Sequence, residues 1–213
     1  MAKANAYARQ FGLSQFVIYQ GLWSAATRDM ERDIIPMCRS EDMAIAPWGA
    51  LGGGAFKTKA QRQAQAKTNE GRQPGSVFGA FSPAQLKMSD VLESIAERTG
   101  VALTSVALAY VMHKAPYVFP IIGVRTLQHL KGNIEALSVS LETEAIKEIE
   151  AALPFDAGFP HNLAGIPADV SGQPQFTDLF LYRNFGLFDA VKLQQPIKNG
   201  LKKDEIEKAL VVN

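Results

Sequence analysis

Three short apolar segments, separated by helical patterns, constrain the fold of this chain most strongly. They read FVIYQ at 16–20, MAIAP at 43–47 and YVFPIIGV at 117–124. The first two are apolar almost throughout, which is typical of strands buried on both faces of a sheet. Because strands that alternate with helices favour parallel pairing, the sequence predicts the α/β class. In the third segment Pro120 has no N–H to donate, which predicts a bulge or the last pairing residue there.

Two helices carry clear end signals. Residues 2–11 are rich in helix formers and stop at Gly12, and glycine is the usual residue at a helix C-terminus. Ser82 and Gln85 form an S-x-x-Q capping box, with Pro83 at the first helical position. These signals predict where one helix ends and another begins.

Similar patterns predict the remaining helices and one long loop. Apolar residues at helical spacing predict a helix within 28–42, where Pro36 is expected to kink the last turn. Residues 104–114 are apolar on nearly every side, which predicts a buried helix. Amphipathic helices are also expected at 126–137, 142–153 and near 201–210. The stretch 48–81 has few apolar anchors in its polar middle and predicts a long irregular loop, either functional or mobile.

The number of strands indicates an incomplete fold. Three strands are fewer than a doubly wound sheet or an eight-stranded barrel needs, and a barrel usually takes about 250 residues. This chain has 213 residues, and its first predicted helix begins almost at Met1. We therefore expect the C-terminal part of a larger fold.

Composition excludes several classes of function. The formal net charge is +1 with mixed acidic and basic residues, so no nucleic-acid partner is expected, and the charged run at 202–208 is expected to be a solvated helical face. The only cysteine, Cys38, excludes an internal disulfide and fits a reducing compartment. No stretch has the length of a membrane span or the apolar core of a signal peptide, so a soluble cytoplasmic protein is expected. The three histidines lack metal-ligand spacing, and no nucleotide or metal motif occurs.

Polar residues or glycines follow each predicted strand. Gln20 ends the first strand, Trp48 and Gly49 follow the second, and Gly123 leads to Arg125 after the third. In parallel α/β folds the carboxyl ends of the strands meet at one edge, where ligands bind. These residues are therefore candidates for a binding site.

The residues after the third strand favour an anion. Arg125 precedes a helix that Thr126 could cap, and His129 and Asn133 follow at intervals of four residues. A helix N-terminus beside a guanidinium suits a phosphate. The alternative is an exposed helix with ordinary polar residues, and spacing alone does not decide between the two.

The residues after the other strands also allow two interpretations each. Gln20 could hold a carboxamide or satisfy a structural hydrogen bond. Trp48 could stack on a planar ring or serve as a core or lid residue. The glycines at 49 and 52–54 could permit close approach of a ligand or simply tight turns.

Four stretches together resemble a known family: FVIYQGLWSA, APWGALGGGAFKT, PIIGVRTLQHLKGNIEAL and LPFDAGFPHN. In order and spacing they are similar to the C-terminal half of the aldo-keto reductases, within the fungal aryl-alcohol dehydrogenase and norsolorinic acid reductase-like group. The resemblance covers about residues 2–165. It implies a partial (β/α)₈ TIM barrel, with strands six to eight and their helices in residues 1–165 and a divergent tail in residues 166–213.

The resemblance also implies an NADP(H) cofactor and its site. Gln20 would hold the nicotinamide carboxamide, and Trp48 would stack on the nicotinamide ring. Gly49 and Leu51 would line the pyrophosphate path. The residues implied around the adenosine and its 2′-phosphate are Gly123, Arg125, His129 and Asn133. Many relatives have Gln or Arg where this chain has His129, so the strength of the NADP preference stays open.

The family's catalytic group of Asp, Tyr, Lys and His has no counterpart in this chain, so no catalytic residue is assigned. In the family the tyrosine acts as the general acid while hydride transfer interconverts aryl aldehydes or ketones and alcohols. We expect a truncated enzyme of this type, a non-catalytic NADP-binding or interaction protein, or the product of an inactive gene remnant. An open parallel sheet would leave an uncovered apolar edge, which invites oligomerisation or aggregation.

Overall fold

The structure is a computed structural model that describes residues 1–68 and 81–160. In chain order the elements are α1 (Ala2–Phe11), β1 (Ile18–Leu22), α2 (Ile34–Ser40), β2 (Ala44–Trp48), α3 (Lys59–Thr68), α4 (Pro83–Thr99), α5 (Leu103–Lys114), α6 (Leu127–Glu135) and α7 (Thr143–Ala152), with 3₁₀ turns at Asp29–Glu31, Gly52–Gly54 and Ala136–Ser138. Helices separate strands that pair in parallel. The predicted α/β class is therefore confirmed.

The sheet consists of two strands and one loosely joined segment. β1 and β2 pair in parallel over all five residues of each strand. Segment 117–122 lies on the other side of β2 and meets it at two isolated parallel bridges, from Ile45 to Val118 and from Trp48 to Ile121. The third strand candidate therefore forms two bridges instead of a regular strand, and Pro120 is not its last pairing residue, because Ile121 also pairs.

Pro47 on β2 explains the interruption. Ile45 both donates to and accepts from the third segment, with N···O distances of 2.9 and 2.8 Å, and the carbonyl of Pro47 accepts from the Ile121 N–H at 2.8 Å. The intervening bond would run from the N–H of residue 47 to the carbonyl of Phe119, but proline has no N–H. The interruption thus arises at Pro47, whereas the sequence pattern pointed to Pro120.

One face of the sheet is packed and the other is open. Paired residues of neighbouring strands project to the same side. The packed face, with Ile45 and Val118, is buried. The opposite face carries exposed apolar side chains, and we call it the open sheet face; its members are Ile18, Leu22, Trp48, Phe119 and Ile121. The expectation that β1 is buried on both faces is wrong, because no element within residues 1–68 and 81–160 covers this side.

β1 also begins two residues later than predicted. The buried side chain of Asn5 on α1 bonds to both backbone groups of Phe16: its amide nitrogen donates to the Phe16 carbonyl at 3.0 Å, and its oxygen accepts from the Phe16 N–H at 2.9 Å. Phe16 therefore bonds to α1 through this side chain, and the strand begins at Ile18.

The hydrophobic core lies between the packed sheet face and the helices. α5 is buried on nearly every side, as predicted, with Val106 and Tyr110 fully buried. α4 adds Met88, Leu92 and Ile95, which are also fully buried. Burying an aliphatic side chain of this size contributes about 1.5–3 kcal/mol. The contacts between helices and the packed face therefore supply the hydrophobic stabilisation.

The predicted helix ends are confirmed. Gly12 adopts left-handed backbone with φ 65° at the end of α1, and Gly100 does the same with φ 71° at the end of α4. At the start of α4 the Ser82 hydroxyl accepts from the Gln85 N–H, while the Gln85 side chain accepts from the Ser82 N–H. Both arms of the capping box are therefore present.

Two predicted local features are wrong. Residues 59–68 form α3 instead of irregular loop, and this helix begins with a second capping box, in which Thr58 and Gln61 exchange side-chain-to-backbone bonds of 3.0 and 3.1 Å. Pro36 does not kink the last turn of its helix. α2 begins at Ile34, so Pro36 lies in the first turn, where a backbone N–H has no partner within the helix.

A group of largely buried charged side chains, each 9–13% exposed, joins the segment after β1 to α5 and α7. We call Arg28, Glu31, Lys114 and Glu150 the ion cluster. Arg28 lies 2.7 Å from Glu31 and 3.4 Å from Glu150. Lys114 lies 3.6 Å from Glu31 and also pairs with Glu150. The indole N–H of Trp23 donates to Glu31 at 3.1 Å, so the cluster is tied to the apolar core.

The charges in the ion cluster determine the ionisation of Glu31. Burial by itself raises the pKa of Glu31, but the hydrogen bond from Arg28 and the charges of Lys114 and Arg28 outweigh it and lower the pKa below its ordinary value of 4.5. Glu31 therefore stays ionised in the folded chain at neutral pH.

Several predictions concern residues outside the described ranges. These are the divergent tail at 166–213, the helix near 201–210 and the charged run at 202–208, and they stay predictions. In the part of the chain that the structure describes, no single helix is long and apolar enough to cross a membrane. Only α4 and α5 taken together reach that length and composition, and they are bent by 101° at the break between them.

Candidate functional site

The carboxyl ends of the three sheet segments lie side by side. Leu22 at the end of β1 pairs with Trp48 at the end of β2, and Trp48 bridges to Ile121. Gln20 is exposed and projects from the same side of the sheet as Trp48, because residues two apart on a strand share a face. The structure thus brings Trp48 and the segment leading to Gly123 to one edge. Gln20 does not end the strand as predicted, because β1 continues to Leu22 and Gln20 pairs with Ala46 at its middle.

Left-handed backbone explains the glycines after Trp48. Gly49 has φ 73°, and a Cβ atom there would lie 2.6 Å from Cδ1 of Leu22. Gly52 has φ 63°, and a Cβ atom there would lie 2.8 Å from the ring of Phe56. Residues with side chains rarely adopt such angles. The glycines therefore do form tight turns, which leave bare backbone at the edge of the sheet, and the approach of a ligand there stays a prediction.

The two tryptophans differ sharply in exposure. Trp48 is 37% exposed, whereas Trp23 is fully buried. Leu51, beyond the first turn, is partly buried against the core. The exposed part of the Trp48 ring is a surface on which a planar ligand could stack, and the anchoring of Leu51 fixes the chain that follows it.

Lys57 is a candidate that the sequence analysis missed. Burial lowers the pKa of the Lys57 ammonium, and the positive charge of Arg125 lowers it further, so the two cations are close enough to interact. Within residues 1–68 and 81–160 neither side chain forms an ion pair with a carboxylate. The Lys57 ammonium donates a hydrogen bond to the Gln65 side chain, which is neutral. Two cations that influence each other and form no ion pair within the described residues favour an anion.

The sequence does contain a signal for Lys57. This lysine lies three residues after the last glycine of the 52–54 run and directly precedes the Thr58 capping box of α3. A basic residue between bare backbone and a helix N-terminus is typical of phosphate-binding loops. The capping box at α3 was not recognised in the sequence, so this position was assigned to an unstructured loop.

The predicted residues after the third segment differ in burial. Gly123, Arg125 and His129 are exposed, whereas Asn133, one helical turn beyond His129, is buried. Thr126 caps α6 as predicted, because its hydroxyl accepts from the His129 N–H at 3.2 Å. The structure therefore leaves Arg125 exposed, where its charge acts on Lys57, but places the Asn133 side chain inside the protein.

Two buried polar groups have structural surroundings. Burial raises the pKa of the Cys38 thiol to about 11, so the thiol stays protonated at neutral pH. His113 is buried, and its Nδ1 lies 2.6 Å from the carbonyl oxygen of Ala109. Across the described ranges no group of His, Cys, Asp and Glu residues is arranged to hold a metal ion.

A parallel sheet with a glycine turn, an exposed indole and two adjacent cations at its carboxyl edge is typical of α/β proteins that bind nucleotides. Sequence comparison identifies the family to which this chain belongs. The sequence profile of the Aldo/keto reductase family matches residues 3–154, and the chain belongs to that family.

Several curated fungal proteins are similar to this chain. Norsolorinic acid reductase B of Dothistroma septosporum is 51% identical over 202 residues, which cover 93% of this chain and 50% of the relative. Norsolorinic acid reductase A of Aspergillus parasiticus is 44% identical over 200 residues, which cover 93% of this chain and 49% of the relative. Aryl-alcohol dehydrogenase (NADP+) of Phanerodontia chrysosporium is 42% identical over 201 residues, with 93% and 50% covered. The predicted resemblance is confirmed, and the chain spans about half the length of these relatives.

A solved structure shows a weaker likeness. A thermostable aldo-keto reductase in complex with the inhibitor epalrestat matches 65% of this chain and 40% of its own chain, with a TM-score of 0.47 and 18% sequence identity. The family assignment rests on the sequence matches alone. The partial barrel stays a prediction.

Proposed function

We propose that this chain is the cofactor-binding half of an NADP(H)-dependent aldo-keto reductase that interconverts aryl aldehydes or ketones and alcohols. The observation that carries the proposal is the exposed indole of Trp48 at the carboxyl edge of the sheet, beside the segment that leads through Ile121 to Arg125 and before the segment that leads to Lys57. The positive charge of Arg125 lowers the pKa of Lys57, which supports a shared anion. A dinucleotide offers phosphates for the cations and a planar ring for the indole. One relative is named as an aryl-alcohol dehydrogenase (NADP+), which supports this choice.

The phosphates are assigned to Lys57 and Arg125 on physical grounds. Two like charges held close together raise the free energy of the unliganded site, and a bound anion removes that repulsion. A guanidinium presents a planar fork of donors to phosphate oxygens, and an ammonium adds a compact charge. Each charge-assisted hydrogen bond of this kind contributes about 1.5–3 kcal/mol.

The nicotinamide is assigned to the open sheet face. A carboxamide needs a donor and an acceptor, and the amide of Gln20 offers both. The indole of Trp48 offers a flat apolar surface on the same side of the sheet. The other proposed contacts follow the family resemblance, with Gly49 and Leu51 along the pyrophosphate and Gly123, His129 and Asn133 around the adenosine. NADP(H) supplies the hydride when it is bound.

We assign no catalytic residue in this chain. A general acid must be held close to the carbonyl oxygen, and misplacement forfeits most of the acceleration. By the family resemblance that acid and its partners come from the first half of the barrel. We therefore expect this chain alone to bind NADPH without reducing an aldehyde, and activity to require the other half.

The test is a titration of the 213-residue chain with NADPH, followed by tryptophan fluorescence. Trp48 should respond because it is exposed at the site, whereas Trp23 is buried and bonded to Glu31. Trp48→Phe should abolish the quenching, and Trp23→Phe should retain it. Absence of saturable NADPH binding by calorimetry would refute the proposal.

Single substitutions test the phosphate assignment. Lys57→Met or Arg125→Met should each raise the Kd for NADPH by about 10- to 100-fold, which corresponds to the loss of one charge-assisted contact. Lys59→Met is the matched control, because Lys59 is exposed on α3 and its substitution removes one positive charge close to Lys57. Equal dissociation constants for the Lys57 and Lys59 variants would contradict the assignment.

The open sheet face favours a second role as an interaction surface. Parallel sheets are almost always covered on both faces, and this face is apolar and exposed within the described ranges. We infer that parallel strands from another polypeptide pair with the edges of this sheet and enclose the open sheet face. These strands come either from the remaining half of the family fold or from a second copy of this chain. Gel filtration with light scattering should then show a defined oligomer. Only aggregated or unfolded material, with no NADPH-dependent quenching, would rule out this role.

A further inference from the structure

A polar stripe on α4 holds the glycine-rich segment that follows β2. The stripe is defined by three residues at intervals of four, and each contacts a different point of the segment: Gln85 contacts Gly52, Ser89 contacts Lys57 and Glu93 contacts Lys59. Residues four apart lie on one face of a helix. A single face of α4 therefore fixes the chain from the glycine turn to the start of α3.

Ser89 is the central and most buried member of the polar stripe. Its side chain is fully buried, and its hydroxyl bonds to both backbone groups of Lys57. The Lys57 N–H donates to Oγ at 2.9 Å, and Oγ donates to the Lys57 carbonyl at 2.7 Å. Arg62 donates to the same carbonyl at 2.7 Å and is itself paired with Asp90 on α4. The backbone of Lys57 is thus held by three hydrogen bonds.

Gln85 and Glu93 fix the segment on either side of Lys57. The Gln85 side chain accepts from the Ser82 N–H at 2.8 Å in the capping box, and its amide nitrogen donates to the Gly52 carbonyl at 3.1 Å. The Glu93 carboxylate accepts from the Lys59 N–H at 3.0 and 3.1 Å. The path of the segment is therefore set by side chains of α4.

We propose that Ser89 and Gln85 are positioning residues that set the affinity for the phosphate of the cofactor. By fixing the backbone at Lys57 and Gly52, they hold the Lys57 ammonium beside Arg125 before the ligand binds. The ammonium sits on a flexible stem and is repelled by Arg125. With a loosened backbone the two cations move apart, and binding must order the segment again at a cost in affinity. This inference rests on the proposed function.

The first experiment compares Ser89→Ala with Ser94→Ala in the 213-residue chain. Ser94 is exposed on the same helix, so Ser94→Ala removes the same hydroxyl group at a position outside the polar stripe. Ser89→Ala should raise the Kd for NADPH, measured by calorimetry, by about 5- to 20-fold. It should also speed amide hydrogen exchange at Lys57 in the absence of cofactor. Ser94→Ala should do neither.

A double-mutant cycle with Lys57→Met separates positioning from a general loss of stability. If Ser89 acts through Lys57, the serine substitution should change the Kd by less than about 2-fold once the ammonium is gone. An effect of equal size with and without the Lys57 ammonium would overturn the proposal, because the loss would then not pass through Lys57.

A second variant keeps the proposal testable if Ser89→Ala does not fold. Gln85→Glu retains the acceptor for the Ser82 N–H, and therefore the capping box, but cannot donate to Gly52. Lys87→Gln, exposed on the same helix, makes the same change in net charge. Gln85→Glu should raise the Kd by about 3- to 10-fold more than Lys87→Gln. Equal constants for the two variants would overturn the proposal.

The two kinds of failure give different results. If the unsubstituted chain does not bind NADPH saturably, the proposed function is refuted and the positioning role falls with it. If the chain binds NADPH and the Ser89 and Gln85 variants bind it as tightly as their controls, only the positioning role is refuted.

Discussion

Replacing Glu31 by Gln should destabilise the folded chain by about 3 kcal/mol. Glu31 is buried in the ion cluster, where it faces Arg28 at 2.7 Å and Lys114 at 3.6 Å. Glutamine has nearly the same shape but no charge, so both cations would then share Glu150. Removing one partner of a buried pair costs about 3–5 kcal/mol, and the lower end applies because Glu150 remains within 3.4 Å of Arg28.

The assay is unfolding by urea and by heat, followed by the fluorescence of Trp23, which bonds directly to Glu31. For a chain of this size a loss of 3 kcal/mol lowers the Tm by roughly 6–12 °C. Glu148→Gln is the control. Glu148 lies on the same helix as Glu150, and its ion pair with Arg98 is exposed. That substitution should change stability by no more than about 0.5 kcal/mol.

The effect of Glu31→Gln should also depend on pH. The pKa of Glu31 is lowered in the folded chain, so its charge contributes full stability above the ordinary value of 4.5. That contribution is lost as the pH falls through the lowered folded pKa. The difference in stability between the two chains should therefore be largest near neutral pH and shrink in acid. Equal stability of the Glu31 and Glu148 variants at neutral pH would refute this account of the ion cluster.

Two further outcomes follow from the backbone and from burial. Gly49→Ala should lower the free energy of unfolding by about 1–2 kcal/mol because of the left-handed φ, and by more because the new Cβ would contact Leu22. It should also weaken NADPH binding, measured by calorimetry. Gly100→Ala introduces the same backbone strain at a position with open space around it, so it should lower the Tm without changing the Kd for NADPH. If the two glycine variants weakened NADPH binding equally, this account would be contradicted. Cys38, with a pKa raised to about 11, should react with a thiol reagent only as the chain unfolds in urea, and rapid reaction of the folded chain would contradict its burial.

Local signals made much of the fold predictable from the sequence. The capping box at Ser82, the glycine at position 12 and the apolar pattern of α5 each depend on residues within a few positions, and the structure confirms all three. The T-x-x-Q box at Thr58 is a signal of the same kind. The apolar residues of α3 are all alanines, so the helix shows no hydrophobic periodicity, and only its helix propensity and this box indicate it.

The errors arose where distant parts of the chain meet. The gap in the third segment is set by Pro47, which can be seen only once the register with β2 is known. The exposure of β1 depends on what covers the open sheet face. For the site, the strand ends were predicted to within two residues, but the electrostatic interaction of Lys57 with Arg125 joins residues far apart in sequence. Such contacts follow from the packing of the whole fold.

The most direct test of the central claim is a calorimetric titration with NADPH of the unsubstituted chain and of the variant carrying both Lys57→Met and Arg125→Met. We predict saturable binding by the unsubstituted chain. The double variant should bind more weakly than either single variant, and by less than the product of the two single effects, because both cations contact one phosphate region. Saturable binding of equal affinity in both chains, or no saturable binding by the unsubstituted chain, would contradict the claim.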